Sequence, residues 1–275
     1  MDEPAAFALF GNPVAQSLSP LMHGAAYAAM GLRATYRAYA VNAAADIVRI
    51  IGEREIQGAS VTIPFKETVI ALLDEVDPEA LDIGAVNTIT RRGRRLVGSN
   101  TDGRGLLRDL AEWIAVRGRT FVILGAGGAA RAALWALLRE GASPIIVNRT
   151  EEKSRRLAGR FGCRWAPAAE IGRLEADGLI NTTPLGMVSD TGRTPLEKHV
   201  LNRFPYILDM IYNPVRTRLL REAEAAGCAV RSGLGMFVHQ GAEQIRLWTG
   251  MEPPRERMRQ VVMERLEAHG KDQAP

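Results

Sequence analysis

The sequence predicts an α/β fold in two domains. Three observations carry that prediction. Short apolar runs alternate with helix-periodic stretches through the first hundred residues, the pattern of helices packed on a mostly parallel sheet. Near the middle, Val122-Ile123-Leu124 runs into Gly125-Ala126-Gly127-Gly128-Ala129-Ala130-Arg131 and then into a helix-forming stretch, Ala132 to Glu140. That is the strand, glycine-rich turn and helix of a Rossmann-type dinucleotide site. Finally, the strand signals stop at Ala229-Val230 and two helical stretches close the chain, so the C-terminal helices are expected to return to the first domain.

In order, Ala6–Phe10 reads as a strand, Pro20–Met30 as a helix, Thr35–Val41 as a strand and Ala44–Glu53 as a helix. Gly58–Ile63 is a strand that runs into Pro64-Phe65-Lys66, and Ile70–Val76 is expected to be helical. Val86–Thr90 and Arg95–Gly98 pair as a hairpin across Arg91 to Arg94. Asp102–Val116 places Leu106, Leu107, Leu110 and Ile114 on one helical face. Beyond the glycine-rich turn, Pro144–Val147, Leu179–Asn181 and Tyr206–Asp209 read as strands and Arg216–Ala226 as a helix. Gly235–Thr249 and Pro254–His269 are the closing helices. The domain boundaries follow: 1–101 with 241–275 for one domain, 102–240 for the other.

Composition narrows the class. A hydrophobic share of 47% and a charged share of 24% fit an ordinary globular protein. A net charge of +4, with scattered arginines, lacks the one-sided basic excess of a nucleic-acid binder. No apolar run approaches the roughly 18 residues of a membrane span, and no basic leader is visible, so the expectation is a cytoplasmic protein with no membrane anchor. Cys163 and Cys228 lack metal spacing and read as buried free thiols. His239 has no metal-ligating neighbours in sequence, and no metal is expected. Nothing decides between a monomer and a homodimer.

The glycine turn has a chemical logic. Gly125 permits the tight turn, Gly127 lets the backbone approach a pyrophosphate, and Ala130 keeps helix and sheet close. The helix N-terminus faces the phosphates. The next strand ends in Asn148-Arg149-Thr150, with Lys153 one turn on. A site for NAD usually places a carboxylate there for the ribose 2′-OH. A cation instead points to a 2′-phosphate, hence NADP(H).

Four polar clusters fall at ends of elements in the first domain. Ser17-Leu18-Ser19-Pro20 could be plain helix capping, with Ser19 as the N-cap, or two hydroxyls for a substrate carboxylate. Lys66 follows a strand at the start of a helix, where the dipole disfavours a cation. It is either a surface lysine or a functional one. Asn87, in Gly84-Ala85-Val86-Asn87-Thr88, and Asp102, in Asn100-Thr101-Asp102-Gly103, complete the set. Thr101 or Asp102 could equally be a helix cap. Convergence of Lys66, Asn87 and Asp102 would suit hydride transfer to a ketone. Charge develops on the oxygen and a proton must be supplied. A lysine can do both while a carboxylate orients the alcohol.

These segments, with Val61-Thr62-Ile63-Pro64-Phe65-Lys66-Glu67, Asn181-Thr182-Thr183-Pro184-Leu185-Gly186-Met187, Asp209-Met210-Ile211-Tyr212 and Gly233-Leu234-Gly235-Met236-Phe237-Val238-His239-Gln240, run in order from about residue 7 to about residue 250. Together they resemble the shikimate dehydrogenase family. The resemblance implies NADPH-dependent reduction of 3-dehydroshikimate to shikimate, on the route to chorismate and the aromatic amino acids. It implies a substrate-binding and catalytic first domain and an NADP-binding second domain, with a cleft between them that closes to exclude water.

It also implies roles. Lys66 and Asp102 would be the catalytic pair, and Ser17 and Ser19 would hold the substrate carboxylate. Thr62, Asn87 and Gln240 would bind the ring hydroxyls, with Tyr212 at the edge. Gly125, Ala126, Gly127, Gly128 and Ala129 would hold the pyrophosphate, and Asn148, Arg149, Thr150 and Lys153 the 2′-phosphate. Thr182, Pro184, Met210 and Gly233 would line the nicotinamide side. Taken singly, Met210 could be core, Tyr212-Asn213-Pro214 turn chemistry and Gln240 a solvated helix residue.

Two positions depart from the family pattern. Gln16 stands where a histidine is frequent and Gly24 where an asparagine is frequent. Neither removes a residue assigned to the chemistry, but both bear on substrate breadth. The rivals are therefore a quinate-accepting or NAD-tolerant dehydrogenase of the same fold, and an NADP-binding sensor without turnover.

Overall fold

The computed structural model describes residues 3–272. The terminal residues of the expected first domain, 1–2 and 273–275, lie outside them. The chain forms two compact units, one running to Gly105 and resuming at Val238, the other spanning Leu106–Phe237.

The first unit contains β1 (Ala5–Gly11), α1 (Ser19–Ala29), β2 (Ala34–Ala40), α2 (Ala44–Glu53), β3 (Gly58–Val61), β4 (Glu75–Val76), α3 (Pro78–Ile83), β5 (Thr88–Arg92) and β6 (Arg95–Ser99). Its six-stranded sheet has the order β2-β1-β3-β5-β6-β4. β1, β2 and β3 are parallel, while β5 is antiparallel to both β3 and β6. β1 shows how alternation builds the layers. Ala8 and Phe10 join Ile47 and Ile51 of α2 in one core cluster. Phe7 stacks instead on Trp248, 5.1 Å between ring centroids, and tilts against Tyr27 of α1.

The second unit contains β7 (Thr120–Leu124), α5 (Gly128–Arg139), β8 (Ser143–Val147), α6 (Glu151–Phe161), β9 (Arg164–Ala166), β10 (Gly178–Asn181), α7 (Lys198–Leu201), β11 (Tyr206–Asp209), α8 (Arg218–Ala225) and β12 (Ala229–Ser232). Its sheet is parallel throughout, in the order β12-β11-β10-β7-β8-β9. This is the doubly wound order, with its switch point between β7 and β10. Ala130, Ala132, Ala133 and Ala136 of α5 are fully buried, and such small side chains let a helix lie close on the sheet.

Helices α4 (Asp102–Ala111) and α9 (Leu234–Thr249) contain the points where the chain passes from one unit to the other. α10 (Arg255–Asp272) packs on α1 within the first unit, so the closing helices do return to it.

Several expectations need correction. Ile70–Val76 is not one helix. A 3₁₀ turn over Thr68–Leu72 is followed by β4, because Asp74 and Glu75 are drawn onto the sheet. Asp74 N donates to Leu96 O, its carboxylate accepts from Leu96 N, and Glu75 pairs with Val97. The helix expected over Asp102–Val116 stops at Ala111, and Trp113 turns its ring edge-on to Tyr206. The hairpin turn is tighter than expected. Arg92 pairs with Arg95, and Gly93 takes the left-handed backbone at φ 62°. Cys228 is buried, but Cys163 is only half-buried. α3, α6, β9 and α7 are additional to the elements read from the sequence. Among the described residues, no helix is long and apolar enough to cross a membrane.

Candidate functional site

The topology of the first unit explains why distant segments meet. β1, β3 and β6 all deliver their C-terminal ends to one edge of the sheet. β5 runs the other way, so its N-terminal end lies at that same edge, with Thr88 paired to both Ser60 and Ser99. Residues that follow β1, β3 and β6 and precede β5 are therefore neighbours. These are the segments of Ser17 and Ser19, Thr62 to Lys66, Asn100 to Asp102, and Asn87.

Lys66, Asn87 and Asp102 do come together. Lys66 Nζ donates to Asp102 Oδ2 at 2.6 Å, and Asn87 Nδ2 donates to Asp102 Oδ1 at 2.7 Å. The Lys66 side chain is 16% exposed and that of Asp102 6%, so water competes little for the pair. Asp102 is in the first turn of α4 but does not cap it. Asn100 Oδ1 accepts from the backbone N–H of Asp102 (3.0 Å), while Asn100 Nδ2 holds the Ala85 carbonyl. That leaves the Asp102 carboxylate for Lys66, at a helix end whose dipole favours a negative charge.

Asn87 is 2% exposed and its amide is fully engaged. Nδ2 reaches Thr101 Oγ1 (3.0 Å) as well as Asp102, and Oδ1 accepts from Thr101 N and Thr88 Oγ1, each at 2.8 Å. Thr101, whose sequence context suggests only a cap, is thus a buried brace of the site. A buried polar partner carries no periodicity of its own, so the sequence held no signal for that role.

Ser17 and Ser19 sit side by side, with 3.2 Å between their hydroxyl oxygens. Of the two readings open for Ser19, the helix cap is not seen. The helix begins at Ser19 itself, after Leu18, with no side-chain cap. Thr62 is half-buried and packs on Gly11, where a Cβ would collide with its methyl group. Gln240 is half-buried on α9, and its backbone lies so close to Gly105 that a Cβ there would stand 2.9 Å from the Gln240 nitrogen. Tyr212 belongs to the second unit, where its ring stacks on Phe237 at 3.9 Å.

In the second unit the residues singled out all follow C-terminal ends of parallel strands, where ligands bind in open α/β sheets. Gly125 follows β7 with φ 114°, and a Cβ on it would meet Thr182 Oγ1 at 2.5 Å. Thr182, after β10, donates to the Leu124 carbonyl at 2.6 Å. The glycine turn and Thr182 therefore flank the switch point together. Ala126 and Gly127 lead into α5, and Gly128 and Ala129 open it. Its N-cap, Gly127, offers no side chain to the first-turn amides, and a Cβ there would point into open space. After β8, Asn148 Nδ2 donates to the Thr150 carbonyl at 3.0 Å. Arg149, Thr150 and Lys153 are exposed around the start of α6. Pro184 is exposed. Met210 is half-buried rather than core, and Gly233 is buried against the Met210 carbonyl with no room for a side chain.

Fold and site define a two-unit α/β protein that has a part-buried lysine–aspartate couple in one unit and a Rossmann-type other unit. Residues 9–89 match the family described as Shikimate dehydrogenase substrate binding domain, and residues 233–263 that described as Shikimate 5'-dehydrogenase C-terminal domain. A shikimate dehydrogenase (NADP(+)) of Moorella thermoacetica is 43% identical, over 95% of this chain and 93% of its own length. One of Shouchella clausii is 41% identical over 93% and 97%. The crystal structure of shikimate 5-dehydrogenase from Thermus thermophilus, in complex with NADP(H) and shikimate, superposes with a TM-score of 0.85. It is 38% identical and covers 94% of this chain and 99% of that one. The chain belongs to the shikimate dehydrogenase family.

Proposed function

We propose that the chain catalyses the reversible reduction of 3-dehydroshikimate to shikimate with NADP(H), on the route to chorismate and the aromatic amino acids. The observation that carries this reading is the 2.6 Å contact between Lys66 Nζ and Asp102 Oδ2 at the sheet edge that also presents Ser17, Ser19 and Thr62. NADPH, when bound, would supply the hydride for the reduction, and NADP+ would accept it in the reverse direction. The second unit suits it. The uncapped α5 and the open space before Gly127 fit a pyrophosphate. Arg149 and Lys153, with Asn148 and Thr150, would hold the 2′-phosphate. Thr182, Pro184, Met210 and Gly233 would border the nicotinamide.

In the first unit, Ser17 and Ser19 would hold the substrate carboxylate. Thr62 and Gln240 would bind ring hydroxyls. Asn87 acts on the substrate chiefly through Asp102, since both its donors are spent within the protein. Lys66 holds a proton at the carbonyl oxygen of the ketone and stabilises charge there as it develops. Asp102 fixes the ammonium in place and shares that proton in the reverse direction.

The test is a paired kinetic comparison of shikimate and quinate, each with NADP and with NAD. The expected result is the highest kcat/KM for shikimate with NADP. Comparable values for quinate or NAD would move the reading to a broader dehydrogenase. NADP binding without any gain of reduced nicotinamide would make the chain a sensor.

A further inference from the structure

A buried line of hydrogen bonds runs through the first unit to Asp102. Tyr36 Oη donates to Ser60 Oγ (2.6 Å), and Ser60 donates to Gln244 Oε1 (2.8 Å). Gln244 Nε2 donates to Thr88 Oγ1 (3.0 Å), and Thr88 donates to Asn87 Oδ1 (2.8 Å). Asn87 Nδ2 then donates to Asp102 Oδ1, and Lys66 meets the other carboxylate oxygen. Every donor points the same way, toward the carboxylate.

Two backbone contacts fix that direction. Gln244 Nε2 also reaches the Asn87 carbonyl at 3.2 Å, which can only accept, so Gln244 Oε1 must face Ser60. The Thr101 N–H, which can only donate, meets Asn87 Oδ1, so Asn87 Nδ2 must face Asp102. Gln244, Thr88 and Asn87 are 1%, 0% and 2% exposed. Neither amide can turn over without setting a buried donor against a donor. Gln244 stands one turn beyond Gln240 on α9. Further along the same face, Trp248 Nε1 holds the Ile89 carbonyl at 3.1 Å. α9 is thereby pinned along β5.

We propose that Gln244 is a positioning residue for proton transfer. By bracing Asn87 through both Thr88 and the Asn87 carbonyl, it sets the face that the Asp102 carboxylate turns to Lys66. This rests on the reading in which Lys66 and Asp102 handle the proton. Gln244 acts through other side chains, so its loss slows the chemical step and leaves substrate binding in place.

The experiment is steady-state kinetics of shikimate oxidation by the full-length protein with NADP. Gln244→Met keeps the side-chain length while removing both polar ends. Thr88→Val cuts the next link and carries the test if Gln244→Met does not fold. Each is expected to lower kcat by about tenfold, the worth of one well-made buried hydrogen bond. KM for shikimate and for NADP should stay within about twofold. The double variant should be no slower than the slower single, because both break one line. An unchanged kcat in a folded single variant, a loss confined to KM, or losses that multiply would each overturn the proposal. Lys66→Ala separates the two layers. If it retains turnover, the underlying reading fails. If it is inactive while Gln244→Met turns over normally, only the role of Gln244 fails.

Discussion

The two units prepare their sites by opposite means. The first uses side chains that hold one another. Lys66, Asp102, Asn87, Thr88, Thr101 and Gln244 are linked by hydrogen bonds in a buried setting at one edge of a mixed sheet. The second works by leaving side chains out. Gly125, Gly127 and Gly233 mark where a Cβ would collide or would fill open space, and the groups on offer are backbone amides and exposed cations. Preorganised side chains matter most where charge and protons move. Bare backbone and peripheral cations matter most where a phosphate must be held through the whole reaction. Mutations of the linked side chains around Lys66 and Asp102 should therefore tell in kcat, and mutations of the proposed phosphate-holding residues of the second unit in the KM of the cofactor.

The largest expected effect is in the first unit. Lys66→Ala removes the proposed proton donor, and general acid catalysis is worth about 10²- to 10⁴-fold. Turnover of shikimate with NADP should fall by at least about a hundredfold. Shikimate affinity, measured by calorimetry in the presence of NADP, should change little, because the carboxylate and hydroxyl contacts proposed for Ser17, Ser19, Thr62 and Gln240 do not involve Lys66. A collapse of affinity equal to the loss of turnover would erase the contrast between the units.

Arg149→Ala sharpens the contrast from the other side. A charge-assisted hydrogen bond is worth about 1.5–3 kcal/mol, which is about ten- to a hundredfold in affinity. The KM for NADP should rise by that much, with kcat at saturating NADP nearly unchanged and the KM for NAD unaffected. Equal rises for both cofactors would show that Arg149 does not meet a 2′-phosphate.

The sequence was most legible where chemistry and backbone demands coincide. The glycine turn declares both a left-handed residue and a helix start, and the structure bears out the Rossmann-type unit around it. Lys66, Asn87 and Asp102 were legible because each closes or opens an apolar run, and the antiparallel β5 then brings them to one edge. Register was less visible. Asp74 and Glu75 look helical beside Leu72 and Leu73, and only the free edge of β6 makes them a strand. Thr88, Thr101 and Gln244 were invisible as a set. Buried polar partners are chosen by three-dimensional proximity, and Gln244 meets Thr88 across 156 positions of chain.

Acid stability offers a third contrast between the units, of smaller size and opposite sign. His23 in the first unit stacks on Tyr36 at 4.1 Å and is fully buried. Burial lowers its pKa from 6.5 to about 4, partly offset by its contact with the Ser19 carbonyl. As pH falls below 6.5 the unfolded chain takes up a proton that the folded chain refuses. The stability this group contributes is complete above 6.5 and is lost toward pH 4. Asp209 in the second unit is also buried, which raises its pKa from 3.8 to about 6 against the donors Thr217, Ile211 and Asn181. Between about 4 and 6 the folded chain keeps a proton that the unfolded chain has lost, so stability falls as pH rises through that window. At about 1.4 kcal/mol per unit, each effect is at most about 3 to 4 kcal/mol, and in the intact protein the two largely cancel. Removing one should expose the other. Relative to the parent, His23→Phe keeps a ring in the stack and should gain in thermal midpoint as pH drops from 6.5 to 4, while Asp209→Asn should lose over 6 to 4. Parallel midpoint curves for both variants and the parent would mean that neither group is held away from its ordinary ionisation, and the contrast between the two interiors would then rest on kinetics alone.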